Sequence, residues 1–167
     1  MSYAVYFNST DVTINHLAGV IAQCPPLVAM QYTGFAAVSA VTVYELAIKE
    51  LFTEFGRKKH KTFGHFVDKH FKRLNGRIGL KDLREESLAR FGDKYLNRFV
   101  RLLDIEEKNF LANHRASIKS NYGNLIVWRN SFAHEGKVPN NATFQEVQRS
   151  YENGKKVIEC LAKTLVR

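Results

Sequence analysis

Cysteine is scarce in this chain. Cys24 and Cys160 lie far apart, with no CxxC pair and no histidine companions. A disulfide framework and a thiolate metal site are therefore excluded, and a reducing, cytoplasmic setting is expected. Three prolines and ten glycines with no low-complexity tract exclude collagen-like or linker-dominated architecture. No run approaches the ~18 consecutive apolar residues of a membrane span. Met1 to Thr10 lack a basic region followed by an apolar one, so neither a membrane partner nor a signal peptide is expected. Gly-rich phosphate loops, SxxK, HExxH and GxSxG are also missing, which leaves nucleotide triphosphatase and common hydrolase readings without support.

What is present is a globular composition, with 45% hydrophobic and 25% charged residues over 167 positions. That length fits a single domain spanning 1–167. Acidic residues are the minority, 16 against 25 Lys and Arg, for a net charge of +9. The imbalance is local. Residues 1–50 hold one Lys/Arg against three Asp/Glu, whereas residues 57–84 hold ten against Asp68 and Asp82, a net of +8. A basic stretch of this density suits a polyanion, and RNA is the expected partner. The residues expected to contact it are Arg57, Lys58, Lys59, Lys61, Lys72, Arg73 and Arg77. The same face also suits an acidic partner protein, such as an antitoxin or regulator.

The apolar pattern has helical period throughout, and the expected fold is an all-α bundle of about five to six helices. A first helix is predicted over Asp11–Gln23, opened by Ser9 or Thr10 and stopped by Pro25-Pro26. A second begins near Met30, carries Val41, Tyr44, Ile48, Leu51 and Phe55 at alternating spacings of three and four, and is ended by Gly56 and the basic run Arg57-Lys58-Lys59. Thr62 is the predicted N-cap of a third, running to Leu74 with Phe63, Phe66, Val67, His70 and Leu74 on one side, before Asn75-Gly76 breaks it. A connector with a short helix leads to Gly92. The next helix starts around Leu96 and continues towards Phe110. A fifth follows the stripe Ile118, Tyr122, Leu125 and Phe132. The last has Thr143 and Glu146 in capping-box positions, after a loop over 136–141.

His60, His65 and His70 do not read as a metal site, because five-residue steps do not stack on one helix face. Their alternation with Lys, Arg, Phe63, Phe66 and Phe71 suits an RNA-facing surface, with some of the phenylalanines in the core. Trp128 and Tyr122 are candidates for base stacking, with core packing the commoner fate at helical spacing.

One segment concentrates chemistry: Trp128-Arg129-Asn130-Ser131-Phe132-Ala133-His134-Glu135-Gly136. Arg129 falls in register with the apolar stripe, where an unpaired guanidinium would be costly. Its face is therefore covered only in part, or meets an anion or a second subunit. A structural alternative is a bond to a buried carboxylate such as Glu45, which otherwise reads as half of a surface pair with Lys49. Asn130 and His134 are helical neighbours four apart. A guanidinium that grips phosphate and an imidazole that exchanges protons near neutral pH suit phosphodiester chemistry. Arg129 and His134, five apart, point ~140° away from each other on a straight helix. Either the helix ends or distorts before His134, or two subunits bring their motifs together.

Arg129-Asn130-Ser131-Phe132-Ala133-His134 resembles the signature of the HEPN (higher eukaryotes and prokaryotes nucleotide-binding) superfamily. That signature is an arginine, four to six residues and a histidine, usually with a polar residue directly after the arginine. The placement is similar too, at the end of the penultimate helix before an amphipathic C-terminal one. The resemblance implies a HEPN-like helical domain acting as a metal-independent endoribonuclease with no cofactor, dimerising so that two motifs line one cleft. In it His134 handles the 2′-hydroxyl or leaving-group proton, Arg129 stabilises the phosphorane and Asn130 orients the site. Glu45 corresponds to an acidic residue HEPN domains often carry, a partner for Arg129. A toxin branch regulated by tyrosine modification has His-x-Tyr; here Glu135-Gly136 follows His134, so that regulation is not expected. The resemblance is instead to groups from bacterial toxin–antitoxin and anti-phage defence systems. The alternatives are an inactive HEPN-fold module that binds RNA or protein, and a structural dimerising subunit of a defence complex.

Overall fold

The computed structural model describes residues 2–72 and 76–165. Among them the chain is all helical, with six α-helices and one π-helical turn, slightly more than the five to six helices expected. A 3-10 turn over Ser2–Tyr6 leads directly into α1 (Phe7–Val20), which buries Phe7, Thr10, Ile14 and Leu17. This helix starts before the predicted Asp11 because Phe7 already belongs to its covered face. It ends in a 3-10 turn over Ile21–Gln23. Pro26 then opens α2 (Pro26–Lys59), where a missing N–H costs nothing.

α2 is the axis of the bundle and packs against α1, α3, α5 and α6. By length and composition it could cross a membrane, contrary to the reading of the sequence. Its Ala36, Ala37, Ala40, Tyr44, Ala47 and Ile48 are nonetheless completely enclosed by the other helices, as befits a core helix. It ends within the expected basic run, at Lys59, and Gly56 lies inside its last turn. A Cβ there would lie 2.9 Å from Val67 Cγ2, and one on Gly64 would lie 2.6 Å from Arg57 Cγ. The two glycines let α3 (Lys61–Phe71) fold back tightly onto the end of α2.

The break between these helices is His60, in extended conformation, whose Nδ1 accepts the Thr62 N–H at 3.2 Å. His60 is therefore the cap, and Thr62 is the donor it satisfies. The covered face of α3 is Gly64, Val67 and Phe71. Phe63, Phe66 and His70 lie on its exposed side, and Leu74 and Asn75 are outside the described residues. Close approach decides this phase: Gly64 lets α3 come up against α2, and Val67 and Phe71, in register with it, are covered.

The connector contains the π-helical turn Asp82–Ser87 and a 3-10 turn Leu88–Phe91, and sends Ile78, Leu83 and Leu88 into the core. Gly92, with φ +97°, opens α4 (Asp93–His114). Ser117 caps α5 (Ile118–Glu135) by accepting the Ser120 N–H at 3.0 Å. The Thr143 hydroxyl accepts from Glu146 N–H at 3.2 Å at the start of α6 (Phe144–Leu165).

Three tyrosines sit at the centre, one each from α2, α5 and α6. Tyr44 stacks on Tyr122 at 5.4 Å and on Tyr151 at 5.9 Å. Their hydroxyls donate to the Tyr151 carbonyl, to the Ile78 carbonyl at 2.7 Å, and to Asp11 Oδ1 at 2.6 Å respectively. Burying phenols is tolerable only because each hydroxyl has such a partner. A second aromatic layer, Phe52 stacked between Phe71 and Phe91, fixes the α3 end of the bundle.

Candidate functional site: the end of α5

α5 is held by Ile118, Tyr122, Leu125 and Trp128, all buried. Tyr122 and Trp128 are thus core residues and present no face to a nucleobase or to a second subunit. Phe132, the predicted continuation of the stripe, is half-buried in a notch that Gly34 leaves open on α2, where a Cβ would fall inside its ring. Gly136, at φ +70°, terminates the helix with its N–H on the Phe132 carbonyl at 2.9 Å. Its own carbonyl accepts from Gln31 Nε2 at 3.3 Å, which ties this end of α5 to α2.

Arg129 points along the same side as the buried stripe, with its side chain 27% exposed. Its Nη2 is 3.7 Å from Glu45 Oε1, and Nη1 donates to Asn130 Oδ1 at 3.0 Å. Glu45, 13% exposed, also accepts the Gly76 N–H at 3.0 Å. Gly76 itself lies against the guanidinium: its φ is +73°, and a Cβ would come within 3.4 Å of Arg129 Nη1. The arginine is thus framed by α2, by the segment after α3 and by its own helical neighbour. Among the described residues its partners leave donors on the guanidinium fork to spare for an oxyanion.

His134 is exposed, and so is Asn130 one turn before it. The helix continues unbroken through Glu135, so the first of the two possibilities open from the sequence, an early helix end, does not occur. Arg129 and His134 of one chain face directions ~140° apart. Asn130 stands between them, its amide oxygen turned to Arg129.

The basic residues Arg57, Lys58, Lys59, Lys61, Lys72 and Arg77 are all exposed, and Arg73 lies outside the described residues. Lys58 pairs with Glu54 at 2.7 Å, and the Lys59 ammonium sits over the Phe55 ring at 5.3 Å. Arg77, the last of the residues expected to contact RNA, directly follows the glycine that lies against Arg129. Sequence reasoning missed that junction. Its one signal was the Asn75-Gly76 pair, which reads only as a helix breaker. Among the described residues no group of three or more His, Cys, Asp and Glu side chains is placed to hold a metal.

Comparison with curated proteins and with solved structures returned no match. A protein-family model does match, over residues 13–167, and it is described as RiboL-PSP-HEPN. It takes in α2 to α6 entirely, and with them Glu45, Gly76, Arg129, Asn130 and His134. On a match of that extent, carried by an all-helical bundle with the arginine-to-histidine motif closing its penultimate helix, the chain belongs to the RiboL-PSP-HEPN family.

Proposed function

We propose that this chain is a metal-independent endoribonuclease that cleaves RNA by attack of the internal 2′-hydroxyl, in a toxin–antitoxin or anti-phage defence setting. The observation that carries the reading is the framed arginine. A half-buried guanidinium positioned by Glu45 and Asn130 sits on the same helix end as an exposed imidazole. Arg129 grips the scissile phosphate and stabilises the charge of the phosphorane. His134 moves the proton between the 2′-hydroxyl and the departing 5′-oxygen, and Asn130 orients the phosphate. The products are a 2′,3′-cyclic phosphate and a 5′-hydroxyl.

The active form in this proposal is a homodimer. Within one chain Arg129 and His134 face apart, and a two-fold axis near the end of α5 places both motifs on one cleft. Incubation of purified protein with total RNA in EDTA tests the chemistry. His134→Ala and Arg129→Ala should each lower cleavage by at least ~10²-fold, the scale of a positioned acid–base or oxyanion-stabilising group. Sedimentation at micromolar concentration tests the dimer. A strict monomer, or cleavage that requires a divalent metal, overturns the mechanism.

One observation favours a second reading, an inactive module that binds RNA or an antitoxin. The Glu45–Arg129 pair balances the charge of the arginine within the bundle, a structural role that needs no substrate. Binding without cleavage in the same experiment selects it.

A further inference from the structure

α3 carries a feature that neither the motif nor simple charge accounts for. Phe66 is 65% exposed and Phe63 36% exposed, on a helix whose covered side already holds Gly64, Val67 and Phe71. An exposed aromatic patch on a folded domain marks a surface for something else. The rings are ordered. Phe66 lies nearly parallel to His70 (6.0 Å, 13°) and to Phe63 (6.5 Å, 12°). Across from them stands Arg90, whose guanidinium touches His70 Nε2 and also donates to Glu86 Oε2 at 3.0 Å. Between the two sides is a cavity of about 280 Å³, with Phe71 and Phe91 in its lining.

We infer that this cavity is a nucleobase-stacking subsite for single-stranded RNA, an inference that rests on the RNA reading above and adds where a base is held. Two arguments select this occupant. The space is near the lower end of small-ligand pockets, ~300–1,000 Å³, which admits a ring system and not a helix. The surrounding charge is complementary to a phosphate chain: residues 57–84 carry a net of +8, Lys61 and Lys69 are exposed on the same helix, and Lys72 is exposed just past its end. The exposed Phe66 and Phe63 rings offer a base a stacking surface without reading its identity, and Arg90 adds a cation to the lining. Gly76, five residues beyond the end of α3, bonds Glu45 beside Arg129.

The test uses a short 2′-O-methyl oligonucleotide carrying one 2-aminopurine, which the proposed chemistry cannot cleave. Binding should quench the 2-aminopurine. Phe66→Ala should weaken binding about tenfold, the scale of one lost base–aromatic stack, while leaving the salt dependence unchanged. Phe66→Trp should retain affinity and quenching, and an abasic oligonucleotide should be insensitive to Phe66→Ala. Equal affinity of wild type and Phe63→Ala/Phe66→Ala overturns the subsite, as does failure of the wild type to bind. Quenched binding with no cleavage of natural RNA keeps the subsite and removes the nuclease. Cleavage indifferent to Phe66 does the reverse.

Discussion

Glu45 Oε1 lies 3.7 Å from Arg129 Nη2 while accepting the Gly76 N–H at 3.0 Å. One carboxylate on α2 thus fixes both the cation of the motif and the backbone within the basic segment. In the proposed mechanism Glu45 is a positioning residue, acting through Arg129.

Glu45→Ala should lower the stability of the fold by about 1–2 kcal/mol, because a partly buried cation and a backbone N–H both lose their acceptor. Urea denaturation measures it. Glu45→Gln, which keeps an acceptor for Gly76 and removes the charge, should recover much of that stability. In the cleavage assay Glu45→Ala should reduce kcat about tenfold with little change in KM, since Arg129 loses its aim more than its charge. A change confined to stability would reduce Glu45 to a structural residue.

The tyrosine centre predicts the alkaline limit of the fold. Burial pushes the phenols of Tyr44, Tyr122 and Tyr151 well above their usual value, helped for Tyr44 by its two tyrosine neighbours and for Tyr151 by the bond to Asp11. A phenol whose ionisation is harder in the folded state contributes stability that is complete below the unfolded value of ~10 and is lost as pH rises above it. Phenolate absorbance from these three should therefore appear only as helical circular dichroism collapses. Full ionisation with the helices intact would contradict the burial.

Two glycines to alanine should move stability in opposite directions. At Gly154 a Cβ would meet Tyr44 Oη at 2.6 Å and its ring at 3.2 Å, a clash in the core costing about 1–3 kcal/mol. Gly123 on α5 has nothing within 4 Å of such a Cβ, and alanine there should stabilise by about 0.5–1 kcal/mol through helix propensity. Thermal melts of the two variants check the sign of each.

α5 and α6 are legible in the sequence because period and caps agree: Thr143 bonds Glu146 as its spacing implies, and Ile118, Tyr122 and Leu125 are all buried. α2 and α3 are harder to read. Glycine is a stop signal in isolation, yet Gly56 sits inside a helix because another backbone needs its room. The same contact turns α3 so that glycine, valine and Phe71 are covered while Phe66 is left outside, which a rule that buries the largest side chains cannot foresee. In the site, Arg129, Asn130 and His134 are visible from their spacing. The role of Gly76 is not, because it depends on where a loop lands against a helix distant in the chain.

The hydrogen bonds and stacks through Asp11, Tyr151, Tyr44, Tyr122 and Ile78 bind α1, α2, α5 and α6 to a common centre. α4 buries fully only Phe99 and Leu103 along its whole length. Amide protons in this domain should therefore exchange from two reservoirs, one released by opening α4 alone and one only when the whole centre comes apart. The buried length of α5, from Ile118 through Trp128, belongs to the second. Arg129 follows Trp128 directly, so the motif is rooted in the last part of the protein to open, and thermal breathing at α4 leaves that root in place.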